Sequence, residues 1–311
     1  MSEEELSRMF EEYAGRRGDK LRFFVNEIHK RERNYFNNAY IDVKKTLSDI
    51  EKNLDFRFND LSEVLLRTKL GRWGRIALET EHRTASDSND HKFPRGTIQD
   101  TTRSPAFFKA LERYFGADQL RFLDLGCSGG GLIFDALVRG HLGVGVEGSD
   151  VSLRLQRAYW RVCGDFLFTG DITKPFTLTE DSKPLRFHAV SLWEVFEHLP
   201  EAALPGIFGN IDRHLEPEGV IVGSIATVSD TDQRTGVEYH PTVESKDWWR
   251  DRFAEYGFEF IDDHGFIEDE FARGADNPHF KVGILRSEEY RISERPEEGF
   301  HFFARRKNSE I

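Results

Sequence analysis

Residues Phe122-Leu123-Asp124-Leu125-Gly126-Cys127-Ser128-Gly129-Gly130-Gly131 carry an apolar run into an acidic residue, then into a glycine-dense turn that opens a helical pattern. Such a run delivers Asp124 to the carboxyl edge of a sheet, and the small residues after it let a ligand lie on bare backbone at a helix N-terminus. Beyond it, Val144-Gly145-Val146-Glu147-Gly148 is a second short strand that ends in a carboxylate, placed where a ribose diol could be held. The two features in register mark a nucleotide-type ligand site.

Outward from this stretch, strand-like and helix-like runs alternate. RFLDLG, GLIFDALVRG, LGVGVEG, SLRLQRAYWRVC and DFLFTGD are followed by RFHAVSLW, a helix around Ala203 to Leu215, and GVIVGSIA. A helix near Ser245 to Tyr256 precedes FEFIDDHGF, and GFHFFARR closes the series. Alternation of this kind predicts an α/β fold, a seven-stranded, mostly parallel sheet with helices on both faces. The last two strands are expected to form a closing antiparallel hairpin with a long, charged connection over roughly 268–297. Ser104-Pro105 supplies an N-cap and first-turn proline for a helix through about Phe115, ended by Gly116.

Upstream, Leu6, Met9, Phe10 and Tyr13, then Leu21, Phe24, Val25 and Ile28, then Tyr40, Val43, Leu47, Ile50 and Leu54 recur at helical spacing. The expected organisation is a helical N-terminal extension over 1–80, a loop or lid over 81–103 and the α/β domain over 104–311. The extension has two candidate uses, covering the site or forming a homodimer.

The 311 residues suffice for a substantial core, and 27 Phe and 5 Trp fit a folded globular protein. With 43 basic against 55 acidic residues the net charge is −12, which argues against a broad grip on nucleic-acid phosphates. Cys127 and Cys163 are the only cysteines, without a CxxC or Cys/His ladder, so neither a disulfide framework nor structural zinc is expected. The N-terminus lacks an apolar targeting segment and no run approaches a membrane span, so the expected location is the cytoplasm.

A dinucleotide needs helix-dipole contact to a pyrophosphate, whereas a cofactor carrying an amino acid needs a carboxylate near its ammonium group. Asp124 favours the second. Here the chain resembles the class I S-adenosylmethionine-dependent methyltransferases, of the small-molecule or sugar type, across roughly residues 104–306. Asp124 through Gly130 match the family's first motif, with Ser128 in place of the middle glycine. The resemblance implies that Glu147 holds the ribose hydroxyls and that Asp171, in Phe168-Thr169-Gly170-Asp171-Ile172, contacts the adenine amino group. Ser191-Leu192-Trp193-Glu194-Val195-Phe196-Glu197-His198-Leu199 resembles the fourth-strand edge, where methyl donor faces acceptor. The implied cofactor is S-adenosyl-L-methionine, with S-adenosyl-L-homocysteine as product. Its expected contacts are Asp124, Gly126, Cys127, Ser128, Gly130, Glu147, Gly148, Asp171, Ile172, Leu192 and Trp193.

The expected activity is O-methylation of a small-molecule or sugar-containing metabolite, with His240, His198 and Glu194 as catalytic candidates. His240, in Val237-Glu238-Tyr239-His240-Pro241-Thr242, follows the fifth strand and is suited to accept a hydroxyl proton. At helical spacing Glu194, Glu197 and His198 fall on one face, and with His240 they could ligate a divalent cation. A metal-dependent small-RNA 3'-end methyltransferase family uses a similar cluster, which keeps that activity as an alternative. The motif also resembles that of methyltransferases for quinones, and capping by His198 is preferred, so no metal is expected. A non-catalytic interaction module and an NAD-dependent oxidoreductase are the remaining rivals. The oxidoreductase is disfavoured at Asp124 and Asp171.

Overall fold

A computed structural model describes residues 73–272 and 297–307. The expected N-terminal helices up to residue 72, any dimer contact through them, and most of the 268–297 connection lie outside the described residues. In chain order the elements begin with β1 (Ile76–Glu79), α1 (Asn89–Lys92), α2 (Arg95–Gln99), α3 (Pro105–Phe115), β2 (Arg121–Leu125), α4 (Gly131–Arg139) and β3 (Leu142–Glu147). Then come α5 (Val151–Arg154), α6 (Trp160–Cys163), β4 (Leu167–Thr169), β5 (Thr177–Glu180), β6 (Lys183–Pro184) and β7 (Phe187–Trp193). The series ends with α7 (Leu204–His214), β8 (Leu215–Ala226), α8 (Lys246–Glu255), β9 (Phe258–Phe260) and β10 (Gly299–Arg306).

Seven strands form one sheet in the order β4-β3-β2-β7-β8-β10-β9. Strands β2, β3, β4, β7 and β8 run parallel, whereas β10 inserts antiparallel between β8 and β9. Strand β3 is buried throughout and β7 nearly so, as expected of parallel strands covered on both faces. From β2 the chain moves to β3 and β4 on one side, then returns through β7 and β8 on the other. The order therefore reverses between β2 and β7, and the crevice at their carboxyl ends is where such sheets bind ligands.

The expected helix after Ser104-Pro105 is α3, closed by Gly116 at φ 59°. It lays Phe107, Phe108 and Leu111 on the sheet, with Phe108 edge-on to Phe122 at 4.9 Å between ring centroids. Ser104 does not cap through its side chain; its backbone N–H donates to Asp135 at 2.7 Å.

Three local expectations are corrected. Ile76–Glu79, inside the stretch expected to be helical, is a strand that pairs antiparallel with Thr177–Glu180 in a separate three-stranded sheet. SLRLQRAYWRVC is two short helices, because Gln156 at φ 47° and Ala158 at φ 49° break it. Glu194, Glu197 and His198 do not share a helical face: Glu194 leaves β7 in the left-handed region at φ 53°, and Phe196–His198 is a single 3-10 turn.

His214 ties α7 to the smaller sheet. Its Nδ1–H donates to the Asn210 carbonyl at 2.8 Å, and its Nε2 accepts from the Leu178 N–H at 3.1 Å. Burial drives the imidazole down to about 4 from the ordinary 6.5. Below pH 6.5 the unfolded chain gains a proton that the folded chain refuses, so this contribution is complete above 6.5 and is lost on acidification towards 4. Wild type should lose about 2–3 kcal/mol through this group between pH 7 and 4.5. Urea unfolding at the two pH values checks this, since a His214→Gln variant should show a correspondingly shallower decline.

Candidate active site

At the carboxyl edge of β2, Gly126 at φ 81° and Gly130 at φ 78° turn the chain sharply into α4. Between them Ser128 takes φ 45°, a strained value for a residue with a side chain. The Glu147 carboxylate holds that turn, accepting from the Ser128 N–H at 2.8 Å and the Ser149 N–H at 3.0 Å. Burial pushes Glu147 up, and the two amide donors oppose it.

Gly126, Ser128, Glu147, Gly148, Asp171, Ile172 and Trp193 all line one cavity of about 1080 Å³. Asp171 accepts from the Thr173 N–H at 2.9 Å, which orients its carboxylate. Asp124 lies deeper, where it accepts from the Ser191 hydroxyl at 2.5 Å. With Cys127 it faces a small cleft of about 20 Å³ that shares Gly126 and Trp193 with the main cavity. Burial raises the Cys127 thiol well above its ordinary range, so it stays protonated. Gly130 and Leu192 sit behind the wall, Gly130 against Leu167 and Leu192 fully buried in β7.

Residues of the 81–103 stretch, a strap tied to its neighbours by hydrogen bonds, line part of this cavity. Ser88 caps α1 by accepting from the Asp90 N–H at 3.1 Å. On the cofactor side the Ala85 N–H donates to the Gly148 carbonyl at 2.9 Å, and the His82 carbonyl accepts from Asp171 at 2.9 Å. The Ser128 hydroxyl lies 2.9 Å from the Thr97 carbonyl, and Arg157 donates to the carbonyls of Thr97 and Asp100. Towards the other end, Asn89 donates to the Glu238 carbonyl at 2.8 Å, Tyr239 to the Phe93 carbonyl at 3.1 Å, and Arg95 pairs with Asp230. Sequence reasoning missed Asp90, Arg95, Thr97 and Asp230 as cavity residues; for the first three the one signal was the polar, aperiodic stretch expected to be a loop or lid, and Asp230 lies outside that stretch.

A Cβ on Gly131 would collide with the Thr102 and Thr101 carbonyls, which are backbone and do not yield easily. Gly131→Ala should therefore lift the end of the strap, weaken S-adenosylhomocysteine binding by about tenfold, a cost of ~1.4 kcal/mol, and speed tryptic cleavage within 81–103. Calorimetry and limited proteolysis read the two effects.

At the far end of the cavity lie Glu194, His198 and His240. Glu197 turns inward instead and is wholly buried, its Oε1 accepting from the Ala226 N–H at 2.9 Å. Its Oε2 is without a hydrogen-bond partner among the described residues. Burial pushes Glu197 up to about 7, partly offset by His198. Burial alone would depress His198, but the hydrogen bond and charge of Asp90, 2.9 Å from Nδ1, carry it up to about 9. Burial lowers His240 below its ordinary range. Its Nδ1 lies 2.6 Å from the Val228 carbonyl, which can only accept, so Nδ1 carries the hydrogen and Nε2 the lone pair. The two imidazoles stand edge to face at 4.7 Å between centroids.

Residues 100–272 match the methyltransferase-domain family. No curated protein sequence matches the chain. Similar solved structures include the glycopeptide N-methyltransferase MtfA with S-adenosyl-L-homocysteine, 18% identical over 66% of this chain and 90% of that one, at a TM-score of 0.43. An S-adenosylmethionine-dependent methyltransferase from Clostridium acetobutylicum is 12% identical over 70% and 96%, at 0.45. The 1,6-didemethyltoxoflavin-N1-methyltransferase of Burkholderia thailandensis is 15% identical over 70% and 84%, at 0.43. No helix among the described residues is long and apolar enough to cross a membrane. A glycine turn braced by Glu147, opening on a cavity at the reversal of a seven-stranded sheet, lies within the matched residues, and the chain belongs to the class I S-adenosylmethionine-dependent methyltransferases.

Proposed function

We propose that the protein methylates a hydroxyl oxygen of a small-molecule or sugar-containing metabolite. The observation that carries this is one cavity joining the Glu147–Asp171 wall to the His198–His240 wall. Bound S-adenosylmethionine supplies an electrophilic methyl group for in-line displacement. Glu147, with lone pairs to spare beyond its two amide donors, holds the ribose hydroxyls; Asp171 meets the adenine amino group; Asp124 faces the ammonium from below. The strap keeps water from the reacting atoms and holds donor and acceptor in near-attack geometry, the main demand of such a step. As the methyl group passes to the acceptor oxygen, Nε2 of His240 would take the hydroxyl proton.

Carboxylates dominate the cavity wall, and its lysines and arginines among the described residues are Lys174 and Arg95, the latter engaged by Asp230. That balance suits a neutral or cationic acceptor and disfavours a phosphodiester chain. The test is a screen of sugars, phenols, carboxylates and amines with labelled methyl donor, after calorimetry has established S-adenosylhomocysteine binding. Labelled ether product supports the proposal. Transfer confined to an RNA 3' end, or to amines, overturns it.

A further inference from the structure

We propose that His198 is a second acceptor-binding residue, which donates Nε2–H to a hydroxyl on the carbon next to the one that is methylated, so that the acceptor is a 1,2-diol or a catechol. This rests on the hydroxyl transfer proposed above and names the class of alcohol. Two imidazoles stand at one end of the cavity, edge to face at 4.7 Å between centroids, with a nitrogen of each within 4.8 Å of the other. Asp90 engages Nδ1 of His198 at 2.9 Å, and the Val228 carbonyl engages Nδ1 of His240 at 2.6 Å. Nε2 of each ring is left without a hydrogen bond among the described residues, is not sealed in the core, and belongs to a residue that lines the cavity.

The two rings differ in what Nε2 offers. His198 is faced by Asp90, Glu194, Glu197 and His240; against the cost of burial, the Asp90 hydrogen bond and charge and the charges of Glu197 and Glu194 carry it up to about 9. It is therefore an imidazolium at neutral pH, and both of its nitrogens are donors. His240 meets a carbonyl rather than a carboxylate at Nδ1, and burial, helped by the neighbouring charge of His198, holds it below its ordinary range. Its Nε2 is a lone pair, so the wall presents a donor beside a base.

A molecule that satisfies both carries one hydroxyl that gives a hydrogen bond and a nearby oxygen that accepts one. Oxygens on neighbouring carbons, each about 2.8 Å from its nitrogen, match nitrogens no more than 4.8 Å apart. Charge narrows the second group further. An ammonium has no lone pair to offer His198. A carboxylate would share the wall with Asp90, Glu194 and Asp230, while the charge of His198 is already matched by Asp90. A neutral hydroxyl remains. Asp90 is then a positioning residue: it sits on α1 beside Asn89, whose side chain donates to the Glu238 carbonyl two residues before His240. One short helix of the strap thus orients the donor and anchors the loop of the base.

The test compares matched acceptors on the full chain with labelled methyl donor: catechol against phenol, and methyl glycosides against analogues lacking one neighbouring hydroxyl. Wild type should prefer the diol in kcat/KM by about 10–100-fold, what one charge-assisted hydrogen bond confers. His198→Ala should prefer it by less than about threefold while still binding S-adenosylhomocysteine and so still folded. Imidazole NMR should show His198 protonated on both nitrogens at about pH 7.5, and Asp90→Asn should remove that signature and cut the preference. Equal or faster wild-type transfer to the mono-alcohols, an unchanged preference in His198→Ala, or a singly protonated His198 overturns the proposal and leaves hydroxyl transfer standing. Transfer to amines alone, or no ether from any alcohol, overturns the hydroxyl reading and this proposal with it.

Discussion

Glu147→Ala lowers affinity for S-adenosylhomocysteine by about 100-fold or more, the largest effect expected on binding. A carboxylate facing a ribose diol makes two charge-assisted hydrogen bonds worth about 1.5–3 kcal/mol each. The same carboxylate braces the Ser128 and Ser149 amides, so its loss also loosens the turn on which the ligand lies. Glu147→Gln separates the contributions: one amide oxygen can still brace the turn, but the charge is gone, and an intermediate affinity is expected. Calorimetry beside thermal melting reads both. An alanine variant that binds within a few-fold of wild type would remove Glu147 from the ribose.

His240→Ala should reduce turnover by about 10²–10⁴-fold, the usual range for losing a general base, while S-adenosylhomocysteine affinity changes less than about threefold, below ~0.7 kcal/mol. His240 lies on the cavity wall away from Glu147, and its Nδ1 bond to Val228 holds the ring with Nε2 free to take a proton. Steady-state rates at saturating donor test this once an acceptor is known. Activity within tenfold of wild type would exclude His240 as the base.

Much of the fold was legible because burial leaves a periodic trace. Apolar runs such as Leu142–Glu147 and Phe187–Trp193 announce strands covered on both faces, and Ser104-Pro105 with Gly116 bounds α3. Elements without that trace escaped. Ile76–Glu79 is a short strand whose partner, Thr177–Glu180, lies far along the chain. The strap spends its hydrogen bonds on Gly148, Ser128 and Glu238 rather than on a local ladder. Its polarity therefore suggested a loop or lid, while its anchors stayed hidden.

The acceptor end shows the division most clearly. Glu194-Val195-Phe196-Glu197-His198 named the side chains but suggested a helical face, and the left-handed φ of Glu194 undoes it. That turn sends Glu197 into the core, leaves Glu194 and His198 on the wall, and brings His240 alongside from after β8. Sequence by itself determined the sheet, the glycine turn and the carboxylates that end successive strands, because each is written in contiguous residues obeying local periodicity and backbone sterics. Tertiary structure decided which oxygen of Glu197 lacks a partner, which nitrogen of each histidine is left over, and which strap residue orients them, because those facts depend on hydrogen bonds between segments that only folding brings together.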